Sequence, residues 1–226
     1  MNSETAQTTR WVLATHLGWV LLGALLLALR PVEPRITLWG WVIAYNLWLP
    51  LFFGRLRPDS TVVDLWRWLL PLSLLQIAPD WFLCTVLQTL EFPARAGPAP
   101  VPGYMGGLWT LPLLLTSWVG LQTSRRHGPF SGYLACAAAA LLVFGAGEWA
   151  LTKVPVWRAL DVQTTSGVAW YILPAELLLS VATLSGFKHT SGETPARRLP
   201  AALAVMLFYI GSAGFSYMAI EHWLVR

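Results

Sequence analysis

The sequence predicts an all-α fold, a polytopic bundle of seven transmembrane helices that forms one integral-membrane domain over residues 1–226. Two compositional features indicate this fold: 56% of the residues are hydrophobic, and 12% are charged, about half the usual fraction for a soluble domain. A third is that apolar runs continue for most of a bilayer thickness. Because a soluble protein needs polar residues on every outer helix face, we expect the bilayer to be the solvent of this chain.

Seven apolar segments appear in a window of about 19 residues, near residues 11–29, 36–53, 65–90, 105–122, 130–152, 168–187 and 200–223. At about 1.5 Å per residue, each can cross roughly 30 Å of hydrocarbon. Backbone polar groups in lipid must be paired within their own segment, so each segment is expected to be a helix. In the fifth, the small residues Ala137 to Ala140, Gly145 and Gly147 indicate close helix packing.

Proline and glycine mark the connections between these segments. The connection over residues 92–103 contains four prolines, which stiffen it. We expect it to pack as a lid or plug over the half of the bundle that holds the acids discussed below, with Tyr104 and Trp109 following it into the interior. The alternative is an ordinary surface loop without contact to those acids. The chain shows no internal repeat of the kind on which many transporters are built.

Charge and cysteine placement disfavour several functions. The formal net charge of +4 comes from arginines in short connections, so no basic stripe is available to nucleic acid. Cys84 and Cys136 lie in apolar segments without metal-ligand or disulfide spacing. We expect no nucleic-acid partner, no metal and no cofactor. We expect the chain to contact membrane lipid, and binding of a hydrophobic small molecule is left open.

Lys and Arg in alternate connections predict the orientation. With the N-terminus inside, nine basic residues lie on the inner side and six on the outer side. The first segment has no signal-peptide cleavage site and is expected to remain as a helix. The sequence therefore predicts a multi-pass protein of the cell membrane, a bacterial inner membrane, with a cytoplasmic N-terminus.

Three carboxylates lie within the apolar segments and are candidates for the membrane interior: Asp80, Glu148 and Glu176. A charge at mid-bilayer costs on the order of 3 kcal/mol, so such groups normally face the bundle interior and have a function. The alternating helix directions place all three in the same half of the membrane. Without basic partners in their own segments they are expected to be partly protonated near neutral pH, as a general acid or a proton carrier requires.

Asp80 is the first candidate for a catalytic acid, with Glu176 and Glu148 as its partners. Pro79 precedes Asp80 inside a long helix, where proline removes a backbone hydrogen bond and bends the helix. Irregular backbone at membrane depth must line protein or a cavity. The combination of a bend and a carboxylate therefore indicates a site.

Other polar groups are expected to have structural roles. Glu91 and Glu221 lie near helix ends, where an acid commonly caps a helix or pairs with an arginine. Glu148 could pair with Lys153. His16, alone in the first helix, is expected to form an interhelical hydrogen bond and is at most a member of a proton relay.

Two groups can be singled out among the 14 tryptophans. Those near helix ends are typical of the aromatic belt at the headgroups: Trp39, Trp41, Trp66, Trp68, Trp157 and Trp223. A second group of aromatic residues is predicted to contact a ligand: Trp81, Tyr104, Trp109, Trp149 and Trp170. A flat, rigid ring suits contact with a conjugated or isoprenoid molecule.

Residues 78–113 carry a distinctive pattern, which reads Ala-Pro-Asp-Trp-Phe, then Phe92-Pro93, then Pro102-Gly103-Tyr104-Met105, then Trp109 through Pro112-Leu113. This stretch resembles one in a family of small, functionally uncharacterised bacterial membrane proteins with seven helices. The resemblance implies the fold and carries no established activity.

A looser resemblance is one of architecture. A small seven-helix protein with membrane-embedded Asp and Glu is similar to the integral-membrane terpene cyclases and to the carotenoid cyclases and hydratases. In those families acidic residues are thought to protonate an alkene or epoxide, and aromatic residues to stabilise the cation. The P-x-E-(E/D) motif of the carotenoid cyclases corresponds here to Pro174-Ala175-Glu176-Leu177.

Three hypotheses remain open. The first is an enzyme or binder of an isoprenoid, carotenoid or quinone that uses these carboxylates for proton-initiated chemistry. The second is a proton-coupled transporter or channel, and the third is a non-catalytic accessory membrane subunit. A retinal photoreceptor is disfavoured, because Lys153 and Lys188 lie at helix ends and not within a helix.

Overall fold

The chain folds into seven helical rods in a computed structural model that describes residues 3–29, 33–93, 99–151, 154 and 156–224. The helices are Ser3–Leu29 (α1), Pro34–Leu51 (α2), Ser60–Leu75 (α3), Ile77–Phe82 (α4), Met105–Leu108 (α5), Thr110–His127 (α6), Pro129–Leu151 (α7), Ile172–Thr190 (α8) and Pro195–Tyr217 (α9). α3 and α4 form one rod, and the single turn α5 leads into α6. The predicted all-α fold with seven helices is confirmed.

Five rods in the described part of the chain are long and apolar enough to cross a membrane: Ala6–Leu29, Pro34–Leu56, Ser60–Leu87, Pro129–Ala150 and Pro195–Leu224. Three of them end in π-helical turns, at Phe52–Leu56, Leu83–Leu87 and Met218–Leu224. Their length and composition fit a membrane protein. The kind of membrane and the direction of insertion remain predictions.

α6 and α8 lie in the interior of the bundle. α6 packs against α3, α7 and α8, and α8 packs also against α9. Both helices bury polar side chains: Thr110, Thr116, Ser117 and Gln122 on α6, and Glu176, Ser180, Thr183 and Thr190 on α8. Protein surrounds these faces, so they do not need the apolar side chains that contact with lipid requires.

The third rod is interrupted at Gln76, between α3 and α4. Pro79 has no backbone N–H, so the carbonyl of Leu75 loses the hydrogen bond that a continuous helix would supply. The helix resumes at once, with the Asp80 N–H donating to the Gln76 carbonyl at 3.2 Å. The predicted irregularity beside Asp80 is therefore present, one turn before it.

Short antiparallel strand pairs tie the connections together at one end of the bundle. β1 (Leu90–Glu91) pairs with β2 (Arg158–Ala159). β3 (Thr164–Thr165) pairs with β4 (Val168–Ala169), directly before α8. The segment that follows α4 is thereby fixed to the segment that follows α7.

Glu91 pairs with an arginine, as the sequence predicts, whereas Glu221 accepts a backbone N–H from a connecting segment. Arg158 Nη2 lies 2.6 Å from Glu91 Oε2, in an ion pair across the first strand pair. The backbone N–H of Gln163 donates to both carboxylate oxygens of Glu221, at 3.0 and 3.1 Å. Neither acid lines the cavity described below.

Glycines set the spacing of α7 in two different ways. A Cβ on Gly120 of α6 would lie 2.9 Å from the Cβ of Cys136, so the first half of α7 packs closely, as predicted. At Gly145 and Gly147 the packing prediction is wrong, because an added Cβ would have no atom within 4 Å. These two glycines leave open space in the second half of α7.

Candidate functional site: a cavity lined by carboxylates

A cavity of ≈ 700 Å³ lies between α1, α2, α4, α6 and α7, a size typical of small-molecule sites. Its lining is mostly apolar. Asp80 on α4, Glu148 on α7 and Glu176 on α8 all contribute to it. The structure thus brings together the three carboxylates that the sequence singled out, from three different helices. Their catalytic role stays a prediction.

Asp80 is held in place by a fixed tryptophan. The carboxylate side chain is buried, and Trp109 Nε1 donates a hydrogen bond to Asp80 Oδ2 at 3.2 Å. The Trp109 ring lies against Phe144, with centroids 5.7 Å apart, and edge-to-face against Tyr209 at 5.6 Å. These contacts from α7 and α9 orient the indole N–H towards the carboxylate.

Glu148 and Glu176 differ in their hydrogen bonds. Trp157 Nε1 donates to Glu148 Oε2 at 3.2 Å. The alternative partner Lys153 lies outside the described residues. Glu176 is buried after Pro174 on α8, and its Oε2 has no hydrogen-bond partner among the described residues.

The three carboxylates are near enough for their charges to act on one another. The ion pairs found in the described residues all use other acids, namely Glu33, Asp64, Glu91 and Glu193. The lining residues that the structure describes include no lysine, arginine or histidine. Three uncompensated negative charges in an apolar cavity are strongly unfavourable. The site is therefore suited to groups that hold and exchange protons.

Hydroxyl groups add a polar edge to the cavity. The Tyr171 and Thr89 hydroxyls are 2.6 Å apart and hydrogen-bonded, and Tyr209 also lines the cavity. Burial raises the pKa of the Tyr171 phenol above its ordinary value, which keeps it a hydrogen-bond donor. Sequence reasoning missed these three residues. Only Tyr209, in the middle of an apolar segment, gave a signal that could have been used.

Three aromatic residues of the predicted ligand-binding set lie at or next to the cavity. Trp109 and Trp149 line it. Tyr104 is buried behind the lining, where burial first and the nearby charge of Asp80 second raise the pKa of its phenol above its ordinary value. Ligand contact by these side chains stays a prediction.

Other tryptophans lie where the sequence did not place them. Trp81 and Trp170 are each nearly half exposed and are not among the lining residues, and Trp170 Nε1 donates to Thr165 Oγ1 at 2.8 Å. Trp68 is fully buried and donates to the Thr183 carbonyl at 3.2 Å. Its prediction as part of the headgroup belt is wrong, because an indole in the bundle interior can pair with a helix carbonyl.

The two ends of the predicted lid, residues 92–103, pack against the bundle. Phe92 lines the cavity and meets the Trp157 ring edge-to-face at 6.4 Å. Val101 is buried at the other end. Residues 94–98, the middle of the lid, lie outside the described residues.

His16 forms an interhelical hydrogen bond, as the sequence predicts, but as the acceptor. Its Nε2 is 2.9 Å from the hydroxyl of Tyr45 on α2, and its Nδ1 is 2.7 Å from the Val12 carbonyl. The carbonyl can only accept, so Nδ1 carries the proton and Nε2 accepts a hydrogen bond from the Tyr45 hydroxyl. His16 does not line the cavity, so its geometry gives no support to a relay.

A family model described as Domain of unknown function (DUF6989) matches residues 77–220. The chain belongs to this family. No curated protein and no solved structure matches it. This match agrees with the expectation of an uncharacterised family. The likeness to the terpene and carotenoid cyclases is still only a resemblance of architecture.

The DUF6989 match begins at α4 and continues through α9 into the π-helical turn that follows it. It contains Asp80, Glu148, Glu176 and Trp109, which are the acids and the tryptophan that orients the first of them. The α1 and α2 helices lie before the match and complete the cavity with a mostly apolar wall: Val20, Gly23, Ala24, Leu27, Thr37, Leu38 and Trp41. The three acids of the cavity thus lie in the DUF6989 part of the chain.

Proposed function

We propose that this DUF6989 protein binds a hydrophobic, isoprenoid-like ligand in the cavity and acts on it by transferring a proton from a carboxyl group. The supporting observation is the convergence of Asp80, Glu148 and Glu176 on one apolar cavity. The ligand class comes from the similarity of architecture to the integral-membrane terpene and carotenoid cyclases. We also propose that the protein lies in a cell membrane with its N-terminus in the cytoplasm.

In the proposed first step, the Asp80 carboxyl group gives its proton to one carbon of a ligand alkene. The alkene π electrons form the new C–H bond, the neighbouring carbon becomes a cation, and Asp80 becomes a carboxylate. The Trp109 N–H stabilises the charge that develops on Asp80 Oδ2. Aromatic rings such as Phe144 and Tyr209 can stabilise a cation within about 6 Å.

A second carboxylate completes the reaction. Glu176 or Glu148 removes a proton from a carbon next to the cation, and the electrons of that C–H bond form a new alkene. The product is an isomer of the ligand, and nothing is oxidised or reduced. Before the next turnover, Glu176 or Glu148 must lose the abstracted proton to solvent, and Asp80 must take up a proton from solvent.

The test uses the protein in lipid nanodiscs and tritiated geranylgeraniol, a neutral acyclic isoprenoid. We expect saturable binding and slow formation of a cyclic isomer, detected by chromatography and mass spectrometry. Asp80→Asn should bind the probe without converting it, because the amide keeps the shape of the acid but cannot give up a proton. Glu193→Gln, at an exposed ion pair, is the control.

The proposal fails if the wild-type protein binds none of three neutral probes, namely geranylgeraniol, β-carotene and a prenylquinone. It fails equally if Asp80→Asn converts the probe at the wild-type rate.

Buried polar atoms favour proton-linked transport as a second candidate. Thr110 Oγ1 and Ser117 Oγ on α6, and Ser180 Oγ and Thr183 Oγ1 on α8, have no hydrogen-bond partner among the described residues. Ser180 and Thr183 follow Glu176 at helical spacing, so they continue its face into the bundle. Buried polar groups of this kind commonly bind internal water, and water chains conduct protons.

Liposomes that contain the protein and a trapped pH dye test this second candidate. Under an imposed membrane potential, wild-type protein should carry protons inward faster than Asp80→Asn does. Equal rates in wild-type, variant and protein-free liposomes would remove the candidate.

A further inference from the structure

The cavity is open on one side, where its lining residues are also exposed on the surface of the bundle. On α1 these residues are Val20, 48% exposed, and Ala24; on α7 they are Leu142, 74% exposed, and Trp149, 52% exposed, together with Ala146 and Ala150. Five of these six side chains are aliphatic, and the sixth is an indole. We call this opening between α1 and α7 the lateral mouth.

The lateral mouth begins near the middle of two apolar spans and extends towards their ends. Val20 is close to the centre of the span Ala6–Leu29, Leu142 is close to the centre of the span Pro129–Ala150, and Ala150 ends the second span. A residue exposed at the depth of Val20 or Leu142 contacts hydrocarbon and not water. A polar solute would have to cross hydrocarbon to enter here, at high cost. A membrane lipid is already in the hydrocarbon and would enter without that cost.

The lining of the cavity also restricts the charge of what it can hold. Its polar side-chain groups are three carboxylates, the hydroxyls of four residues and the indole N–H groups of four tryptophans: Thr37, Thr89, Tyr171 and Tyr209, and Trp41, Trp109, Trp149 and Trp157. Among its described residues there is no cationic side chain to pair with a phosphate or carboxylate headgroup. An anionic headgroup would be buried beside acids without a counterion, whereas a neutral hydroxyl or carbonyl group can hydrogen-bond to them.

We propose that the lateral mouth admits a neutral lipid from the bilayer into the cavity and excludes the phosphorylated form of the same lipid. The mouth follows from the geometry alone. The isoprenoid identity of the lipid rests on the proposed function. A reaction that removes phosphate from an isoprenoid, or that joins the isoprenoid to a neutral ring, would have to supply such a ligand.

Gly147 offers a position for a probe inside the cavity. It lines the cavity next to Glu148, and a Cβ there would have no atom within 4 Å, so a side chain can be added without moving a neighbour. Gly145, on the same helix, has equal space but does not line the cavity. The pair Gly147→Cys and Gly145→Cys therefore gives a matched probe and control.

The experiment places a nitroxide spin label on each introduced cysteine, in protein reconstituted into phosphatidylcholine vesicles. Unsubstituted protein, treated in the same way, gives the background of Cys84 and Cys136. The label at Gly147→Cys should collide frequently with oxygen, which concentrates in hydrocarbon, and rarely with a water-soluble nickel chelate. Adding Ala146→Trp at the mouth should lower the oxygen collision rate at least twofold.

Frequent collision with the nickel chelate, or none with either reagent, would overturn the lateral mouth. Geranylgeraniol and geranylgeranyl diphosphate are then compared as ligands. In unlabelled protein the Kd of the alcohol should be at least tenfold lower than that of the diphosphate. In labelled protein a saturating concentration of the alcohol should immobilise the label at Gly147→Cys but not at Gly145→Cys. Equal affinities would overturn the exclusion of anions, and absence of binding by the alcohol would overturn the lipid class.

The two proposals can fail separately. Immobilisation of the label by geranylgeraniol without formation of any isomer would leave the mouth and its neutral ligand standing and refute the proton transfer. Formation of an isomer at a rate that Ala146→Trp leaves unchanged would keep the proton transfer and refute access through the mouth.

Discussion

At the scale of single residues, hydrogen bonds and ring contacts hold the acids of the cavity in position. Trp157 donates to Glu148, and Tyr209 packs on Trp109, which donates to Asp80. A carboxylate inside an apolar segment is costly, so the three acids could be predicted from the sequence. Trp157 could not, since an indole is tolerated both in lipid headgroups and in a protein interior.

We expect Asp80→Asn to change the free energy of unfolding by less than about 1 kcal/mol, because the amide oxygen can still accept the hydrogen bond from Trp109. No ion pair involves Asp80 among the residues that the structure describes. Thermal unfolding in detergent, followed by circular dichroism, measures this. A loss of about 3–5 kcal/mol would indicate a buried ion pair and would take the role of acid from Asp80.

Trp109→Phe should slow conversion of the ligand about tenfold or more, because it removes the N–H that stabilises the Asp80 carboxylate and a charged hydrogen bond is worth about 1.5–3 kcal/mol. The Phe ring keeps most of the contact with Phe144. Trp118→Phe on the same helix is the control, since Trp118 Nε1 has no partner among the described residues. A steady-state rate that falls equally in both variants would show a packing effect instead.

At the scale of the elements, the apolar segments were enough to locate the rods, because lipid requires long helices. What small residues do within a rod was not predictable. A glycine leaves room either for a neighbouring helix, as at Gly120, or for a cavity, as at Gly147. The residue is glycine in both cases. Only the position of the neighbouring helix decides whether the glycine makes room for close packing or for a cavity.

Gly147→Leu should weaken binding of geranylgeraniol at least tenfold, because the new side chain occupies the cavity. Gly145→Leu should leave the Kd unchanged. Both variants replace glycine in a helix and should gain stability by up to about 1 kcal/mol. Equilibrium binding in nanodiscs and thermal unfolding measure the two effects, and equal Kd values for both variants would place the ligand elsewhere.

At the scale of the whole molecule, the helix count follows from the number of apolar segments, whereas the assembly of the site does not. The acids of α4, α7 and α8 meet because α6 and α8 form the interior of the bundle. Periodicity alone does not give the order in which helices pack. The predicted direction of insertion rests on a mild excess of basic residues on the inner side, nine against six. The geometry of the bundle does not test this prediction.

Reporter fusions at the two ends of the chain test the topology. Seven crossings put the termini on opposite sides of the membrane, so a phosphatase fused to the C-terminus should be active outside the cytoplasm and a fluorescent protein fused to the N-terminus should fluoresce inside. Matching locations would mean that one rod does not cross. The first to re-examine would then be α6 or α8, which are not among the five rods apolar enough to span a membrane.

Proton transfer from Asp80 to a ligand in the cavity is tested by converting geranylgeraniol in D₂O and locating deuterium in the product by mass spectrometry. The wild-type protein should place one deuterium in a new C–D bond of each product molecule, since the carboxyl proton exchanges with solvent between turnovers. Asp80→Asn should form no product while keeping its fold and its affinity for the probe. A product without deuterium, or undiminished turnover in Asp80→Asn, would contradict the proposed chemistry.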